Sequence, residues 1–307
     1  MYIQAASSIT TLDTFSTTGF WEQLLSNGHT QDSLLEPEYK QYIPAGLLRR
    51  TPKINRMALA CLEKCLNTYP AVLDGIVIGT GLGCLQDTQK FLEQIATAKE
   101  GQLLSPTAFI QSGHNAIAGQ IALNKKIHDY NMTHVQRGLS FEYALKDALL
   151  CLEEGHQEIF VGAVDEKTEL LSELAAKFGI DEQEGSLSEG GSFFIVNQKP
   201  SAVKILDVQI CGSDWKEALD QTLKELGLES RDLDHAFVGY NGHKDDNVNL
   251  DCPSATYTEV CGRYFSSSAF GLHAAYDFLS TMAGAKHALV VNRADQNQTS
   301  LMLLCRE

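Results

Sequence analysis

The chain has 307 residues, 44% of them hydrophobic, which is enough for one large α/β domain or for two halves with a sizeable core. Its 39 acidic and 24 basic residues give a net charge of −15, which argues against nucleic acid or an anionic membrane surface as a partner. The sequence contains no run of about 18 apolar residues and does not begin with the basic and apolar regions of a signal peptide. We therefore expect no membrane span and no export.

Eight cysteines occur, and no two of them are spaced as C-x-x-C, so we predict no metal site. Most of them lie in apolar runs, which is typical of buried thiols in a reducing compartment. These observations favour a cytoplasmic protein.

The first 50 residues are predicted to contain a short strand, a helical piece at FWEQLLSNG and then a loop. Thr51 and Pro52 predict the start of a helix, with the threonine as N-cap and the proline at the first helical position. That helix should run from Lys53 to about Thr68.

The stretch DGIVIGTGLG at residues 74–83 predicts a strand that ends in glycines. Its glycines do not form the G-x-G-x-x-G that opens a helix in dinucleotide-binding folds, so we expect no nucleotide and no other cofactor. A helix from about Gln86 to Thr97 should follow.

The central stretch, residues 111–166, predicts helix, strand, sharp turn, helix and strand. The two strands are expected near Met132–Gln136 and Glu158–Val164, and the helix between them from Ser140 to Gly155. The helix has a wide apolar face, so it should be buried. The turn at residues 137–140 therefore delivers the chain to a buried helix N-terminus, which offers free N–H groups and a positive dipole.

The rest of the chain repeats this order of elements: a helix, a glycine and an apolar strand end at Asp165 and again at Asp295. The other elements predicted after residue 166 are a helix at Glu166–Phe178, strands at Ser192–Val196 and Ala202–Ile210, a helix at Trp215–Leu226, a strand at His235–Tyr240, a long helix within Cys261–Ala283, and strands at His287–Asn292 and Ser300–Cys305.

The strand, turn and helix around residue 138 resemble those of the β-ketoacyl synthases of the thiolase superfamily. In that family the turn carries the nucleophilic cysteine, within a pattern like T-A-C-x-S-G-x-x-A-(hydrophobic)-x-D-A. The residues that match the pattern after the cysteine are Ser140, Ala144, Leu145, Asp147 and Ala148. The cysteine position itself falls on Gly138.

The resemblance covers nearly the whole chain, including the glycine turn at residues 79–83 and the S-E-G-G turn at residues 188–191. It implies a thiolase-like five-layered αβαβα fold, with two mixed sheets and buried central helices. It also implies a single domain over residues 1–307, made of two pseudo-repeated halves at about 1–197 and 198–307.

The resemblance also locates the family's two catalytic histidines. The first, in an H-G-T-G-T motif, falls on Asn241, which can donate a hydrogen bond but cannot act as a base. His243, two residues on, either substitutes for it or is a surface-loop residue. The second, in a G-H-x-x-G-A-x-G motif, falls on Phe265 when Gly271 is aligned with the family's glycine. All three catalytic side chains are therefore missing.

A degenerate triad on a retained scaffold resembles the chain length factor type. Such a subunit has no activity of its own; it pairs with an active β-ketoacyl synthase and shapes the acyl channel in fatty-acid- or polyketide-type biosynthesis. The compact chain and its S-G-H-N…R-G-L-S-F-E pattern are most similar to short ketosynthase-like proteins of aryl-polyene and flexirubin-type pigment clusters. Acyl carrier protein should be bound mainly through the partner, because this chain is itself acidic.

Two alternatives remain open from the sequence. One is an acyltransferase or hydrolase whose nucleophile has moved to Ser140 or Cys84, although no G-x-S-x-G is present and Ser140 is also explained as an N-cap. The other is a self-standing, homodimeric acyl-binding or scaffold protein. Whether the chain forms a heterodimer or a homodimer, the residues expected to line the channel or the interface are Arg137, Ser140, His114, Asn115 and His243.

The resemblance implies that dimers form by pairing the strand that leads into the nucleophile turn. The strand predicted at Met132–Gln136 offers little charged protection of its edge, so it needs a partner. We expect it to join the dimer together with residues 111–122.

Overall fold

The computed structural model describes residues 1–25, 33–179, 187–240, 248 and 250–307. Its strands are β1 (Tyr2–Ile9), β2 (Gly75–Gly79), β3 (Tyr130–His134), β4 (Ile159–Asp165), β5 (Gly190–Asn197), β6 (Val203–Cys211), β7 (His235–Tyr240), β8 (Ser254–Thr256), β9 (His287–Arg293) and β10 (Thr299–Arg306). Its α-helices are α1 (Ala45–Leu48), α2 (Lys53–Thr68), α3 (Leu85–Thr97), α4 (Pro106–Ser112), α5 (Ala116–Lys125), α6 (Ser140–Glu153), α7 (Glu169–Lys177), α8 (Trp215–Glu225), α9 (Thr258–Cys261) and α10 (Ser268–Thr281).

The strands form one mixed ten-stranded sheet in the order β3-β2-β4-β5-β1-β6-β10-β9-β7-β8. The expectation of two separate sheets is therefore wrong, because β1 pairs with β6. The joint is short and consists of the pairs Tyr2↔Lys204 and Ile3↔Val203. It divides the sheet into a first half-sheet, β1 to β5, and a second half-sheet, β6 to β10.

The second half-sheet repeats the strand order of the first. The order β3-β2-β4-β5-β1 becomes β8-β7-β9-β10-β6 when each strand is replaced by the one five places later. The pairing directions repeat as well, since β2 and β7 pair in parallel with both neighbours and the remaining contacts are antiparallel. Helices α6 and α10 precede the corresponding strands β4 and β9. The domain division near residue 197 nevertheless stays a prediction.

Three apolar cores lie on the faces of this sheet. The largest contains α6 and α10 together with side chains from strands of both half-sheets. A second core packs α2 and α5 on the first half-sheet, and a third packs α8 on the second half-sheet. Because side chains alternate along a strand, β4 serves two cores, with Val161 facing the first and Phe160 facing the second.

The edge strand β3 lies two residues earlier than predicted. It pairs in parallel with β2 from Gly75↔Tyr130 to Gly79↔His134, so its end is set by the end of β2. Residues 135 and 136, which the sequence assigned to the strand, belong to the turn that follows.

One prediction at the N-terminal end is wrong, and another is confirmed in outline. Thr51 does not cap α2: its hydroxyl donates to the carbonyl of Leu47 at 2.9 Å, and the N-cap position is occupied by Pro52. The helical piece near residue 20 is a short 3-10 helix, Phe20–Leu24, whose start is held by the Asp277 carboxylate through the N–H groups of Gly19 and Trp21.

The predicted burial of α6 is correct for one face. Eight of its fourteen residues are buried, but Tyr143 and Leu150 are exposed. The corresponding helix α10 is covered more fully, with eleven of fourteen residues buried. Within the described ranges, none of the helices combines the length and the hydropathy that a membrane span requires.

Candidate functional site

The turn between β3 and α6 is held by the side chain of Ser140. Its Oγ accepts a hydrogen bond from the Gln136 N–H at 2.9 Å, and its single proton faces the carbonyls of Arg137 at 2.7 Å and Thr80 at 2.9 Å. Ser140 is the first residue of α6, and the N-cap is Leu139, so the prediction of an N-cap role for Ser140 is wrong. Ser140 instead connects this turn to the glycine turn after β2 through its hydrogen bond to the Thr80 carbonyl.

Gly138 lies buried in that turn, in a one-turn 3-10 helix at Arg137–Leu139. Its carbonyl accepts a hydrogen bond from Asn292 Nδ2 at 2.8 Å. A Cβ atom on Gly138 would lie 3.1 Å from the Cβ of Ala294 and 3.2 Å from its carbonyl oxygen. A side chain at position 138 would therefore be in tight contact with Ala294, which would have to shift by a few tenths of an ångström.

Beneath Gly138 lies a buried carboxyl group, Glu142. Its Oε1 accepts hydrogen bonds from Asn292 Nδ2 at 2.8 Å and from Ser300 Oγ at 2.7 Å. Its Oε2 has no hydrogen-bond partner among the described residues. Burial raises the pKa of Glu142 above its ordinary value, an effect that the hydrogen bonds to Ser300 and Asn292 reduce. This cluster joins α6 to β9 and β10.

The glycine turn after β2 is organised by a second buried carboxyl group, Asp165, at the end of β4. Its Oδ1 accepts from Thr80 Oγ1 at 3.0 Å, from Gly81 N–H at 2.8 Å and from Leu82 N–H at 3.1 Å. Its Oδ2 accepts from Ser266 N–H at 2.9 Å. Burial raises the pKa of Asp165, and these donors act against that rise. One side chain thus connects the glycine turn to the serine-rich turn before α10.

Phe265 and His114 both lie against the glycine turn. A Cβ atom on Gly81 would overlap the Cβ of Phe265, and a Cβ on Gly83 would overlap the imidazole ring of His114. Phe265 and Gly138 therefore lie on turns that are connected to each other through Thr80 and Asp165. Phe265 is half-buried and has no group that can accept a proton there.

The other predicted residues are less closely tied to this cluster. Asn241 and His243 lie outside the described residues. Asn115 is exposed and precedes α5 without capping it through its side chain. Cys84 is fully buried before α3, and burial, with the carboxyl groups of Glu166 and Asp87 nearby, raises the pKa of its thiol to about 12. A thiol in that state is a poor nucleophile.

Sequence reasoning did not single out Glu142, Asp165, Asn292 or Ala294 as members of the site. Polar residues within apolar runs were the available signal: Glu142 lies on the apolar face of α6, and Asn292 lies in the run HALVVNRAD. Within the described part of the chain, no group of three or more His, Cys, Asp and Glu side chains is placed to hold a metal ion.

Residues 21–173 match the family model of the beta-ketoacyl synthase N-terminal domain. No curated protein matches the sequence.

Solved structures share the fold at low sequence identity. The ishigamide ketosynthase/chain length factor is 15% identical, with a TM-score of 0.81 over 99% of both chains. A chain of AntDE:AntF, described as a type II PKS acyl-carrier protein in complex with its ketosynthase, is 14% identical, with a TM-score of 0.78 over 100% of this chain and 99% of that one. The complex of the ketosynthase ApeO with its chain length factor ApeC from Xenorhabdus doucetiae is 15% identical, with a TM-score of 0.59 over 100% of both chains. At these identities the likeness establishes the fold.

Proposed function

We propose, on the premise that residues 21–173 belong to the β-ketoacyl synthase N-terminal domain family, that this chain is a noncatalytic subunit of the chain length factor type. It pairs with an active β-ketoacyl-ACP synthase and shapes the partner's acyl channel in fatty-acid- or polyketide-type biosynthesis. The observation that carries this proposal is Gly138. A glycine cannot accept an acyl group, and Ala294 packs closely against the side from which a side chain would project.

The positions of the two histidines support the same function. Phe265 packs on Gly81 and offers no base or proton donor. The assignment of Asn241 to the first histidine rests on the sequence alone. Condensation needs an acylated thiol and groups that assist decarboxylation. A chain without the cysteine and the two histidines therefore depends on a partner for the chemistry.

A relocated nucleophile is the less favoured alternative. The Ser140 hydroxyl is fully buried, and its proton faces two backbone carbonyls, neither of which can accept it permanently as a base would. Cys84 is fully buried, and its thiol has a raised pKa. Neither group has a histidine hydrogen-bond partner among the described residues, and both are buried away from substrate.

The proposed partner surface follows the open edge of the first half-sheet. Strand β3 ends the sheet, α5 and α6 pack beside it, and α4 packs on α5 and α3. These elements expose large apolar side chains that a monomer usually covers. They are Leu92, Ile95, Leu103, Phe109, Ile110, Leu123, Met132 and Val135.

A ketosynthase with an intact cysteine and two histidines is the partner we propose, with a second copy of this chain as the alternative. Two of the structures that share the fold are described as a ketosynthase with a chain length factor. The net charge of −15 disfavours tight binding of an acidic acyl carrier protein to this chain, so the carrier is bound mainly through the partner.

Three finer features belong to the same proposal. The five-layered plan is supported by the three cores on alternate faces of the two half-sheets. The division into halves at about 1–197 and 198–307 is supported by the repeated strand order. The likeness to short proteins of aryl-polyene and flexirubin-type clusters is supported by the compact chain and by the motif around Ser140.

The experiment is coexpression with the active ketosynthase of the same gene cluster, followed by light scattering and intact-mass measurement with acyl carrier protein. We expect a one-to-one complex in which only the partner becomes acylated. An acyl adduct on Ser140 or Cys84 would establish the relocated-nucleophile alternative. A homodimer that does not bind the ketosynthase would establish the scaffold alternative.

A further inference from the structure

Arg137 has a backbone conformation that side-chain-bearing residues seldom adopt. Its φ is +50°, in the left-handed region. Lys126 is the other non-glycine residue with positive φ in the described ranges, at +57°, and it follows the last turn of α5, where a left-handed residue is a common helix ending. Arg137 instead lies between a strand and a helix, so helix termination does not explain its conformation.

The surrounding turn prevents Arg137 from relaxing. Ser140 Oγ contacts the backbone on both sides of it, at Gln136 N–H and at the Arg137 carbonyl. The next carbonyl, that of Gly138, is bonded to Asn292 Nδ2. The backbone of residue 137 is therefore fixed by buried contacts, and its side chain leaves the turn from a fixed point.

Among the residues that the structure describes, the guanidinium group of Arg137 has no hydrogen-bonding or ionic counterpart. The residue is exposed, and no hydrogen bond or ion pair joins its side chain to any residue of the described ranges. It follows the edge strand β3 by three residues, next to the exposed apolar side chain of Val135. A cation that becomes covered in an apolar interface is costly unless it is paired.

We propose that Arg137 pairs with a carboxylate side chain of the partner subunit when that subunit covers the edge of β3. This inference rests on the proposed function, because it needs a partner at that edge. Arginine suits the role because its planar fork can donate two parallel hydrogen bonds to one carboxylate. The strained backbone is retained because it places the guanidinium group of Arg137 at the junction of the subunits.

The test uses Arg137→Gly in the full chain, with the ketosynthase that forms the complex. Glycine adopts positive φ without strain, so the isolated variant should melt at the same temperature as the parent chain or higher. Its dissociation constant for the ketosynthase should rise at least tenfold at low salt, and the salt dependence of binding should fall. Lys126→Gly is the matched control, because it removes the same charge at a similar φ; it should leave the dissociation constant within about twofold.

A second arm locates the carboxylate. One Asp→Asn or Glu→Gln variant of the ketosynthase should weaken binding as Arg137→Gly does, and the two changes combined should weaken it no further. An unchanged dissociation constant for Arg137→Gly overturns the inference while the proposed function stands. If Arg137→Gly leaves the dissociation constant unchanged but raises the KM of the complex for malonyl-loaded carrier protein, the inference is also overturned. Arg137 would then pair with the malonyl carboxylate of the substrate and not with a carboxylate of the partner. Failure of the unmodified chain to bind any ketosynthase overturns the proposed function, and this inference with it.

Discussion

Ala294 lies against the face of Gly138 from which a side chain would project, with its Cβ 3.1 Å from the place of a Cβ on residue 138. The two residues come from opposite halves of the chain, and Asn292, two residues before Ala294, binds the Gly138 carbonyl. The position that the resemblance assigns to the nucleophile is thus closely packed between residues distant in the sequence.

Restoring the cysteine should consequently destabilise the protein. Gly138→Cys adds atoms against Ala294 and its backbone, and we expect a loss of about 1–3 kcal/mol in the free energy of unfolding. Urea denaturation measures this loss of unfolding free energy. The double variant Gly138→Cys with Ala294→Gly should recover part of the loss, because the Cβ of Ala294 is gone. Equal stability of the single variant and the parent chain would contradict this account. Neither variant should become acylated, since Phe265 supplies no base.

Asn292 should matter more than Ser300, although both donate to Glu142. Asn292→Ala removes hydrogen bonds to the Gly138 carbonyl and to Glu142 Oε1, and leaves the carbonyl buried without this donor. We expect a loss of about 2–4 kcal/mol. Ser300→Ala removes one bond to an oxygen that still accepts from Asn292, so we expect a loss of about 1 kcal/mol. Chemical denaturation of both variants at neutral pH measures the two losses in unfolding free energy. A larger loss for Ser300→Ala than for Asn292→Ala would be inconsistent with these contacts.

Glu142 should make stability depend on pH. Burial raises its folded pKa above the unfolded value of about 4.3. The stability that this shift contributes is fully present below the unfolded pKa and is lost as the pH rises through the folded pKa. Glu142→Gln keeps an acceptor for Asn292 and Ser300 without that loss. Its unfolding free energy, minus that of the parent chain, should therefore increase as the pH is raised from about 4 to neutral and above. A difference that does not vary with pH would show that Glu142 has the same pKa in both states.

Asp165 should respond in a different way, because both of its oxygens accept hydrogen bonds. In Asp165→Asn the amide would present N–H groups either to the Ser266 N–H or to the donors of the glycine turn. We expect a loss of at least about 2 kcal/mol at neutral pH. Thermal unfolding gives the size of this loss. An Asp165→Asn variant as stable as the parent chain would mean that the two turns are held together by packing alone.

The edge strand offers a paired test of association. The His134 carbonyl accepts from the Thr80 N–H, so residues 130, 132 and 134 direct their backbone groups toward β2. The N–H of Thr133 therefore points to the open edge. Thr133→Pro should weaken the proposed dimer and leave the monomer folded, whereas Met132→Pro should destabilise the monomer, because it removes a bond to β2. Sedimentation and circular dichroism separate the two effects. Unchanged association of Thr133→Pro would place the interface elsewhere.

The sequence was sufficient wherever the local pattern was strong. The apolar strands β4, β7 and β9, the helix α6 and the turn at Gly138 lie within one or two residues of their predicted positions. The start of β3 was misplaced because its register depends on pairing with β2, a segment 55 residues away, as the pair Gly75↔Tyr130 shows.

The side chains that organise the site were harder to predict. Asp165 binds Ser266 across 101 residues, and Asn292 binds Glu142 across 150. No local periodicity records which buried polar residues meet across such separations. The joint between β1 and β6 was missed for a similar reason: two residue pairs convert two expected sheets into one.

The central place of β1 in the sheet has a consequence for how the chain folds during synthesis. This first strand pairs with residues 191–197 of β5 and with residues 203 and 204 of β6, so it has no strand partner until most of the protein has left the ribosome. Contacts across such separations form slowly, and apolar segments that wait for them are prone to aggregate. A chaperone that shields the nascent N-terminal segment should therefore raise the yield of folded protein.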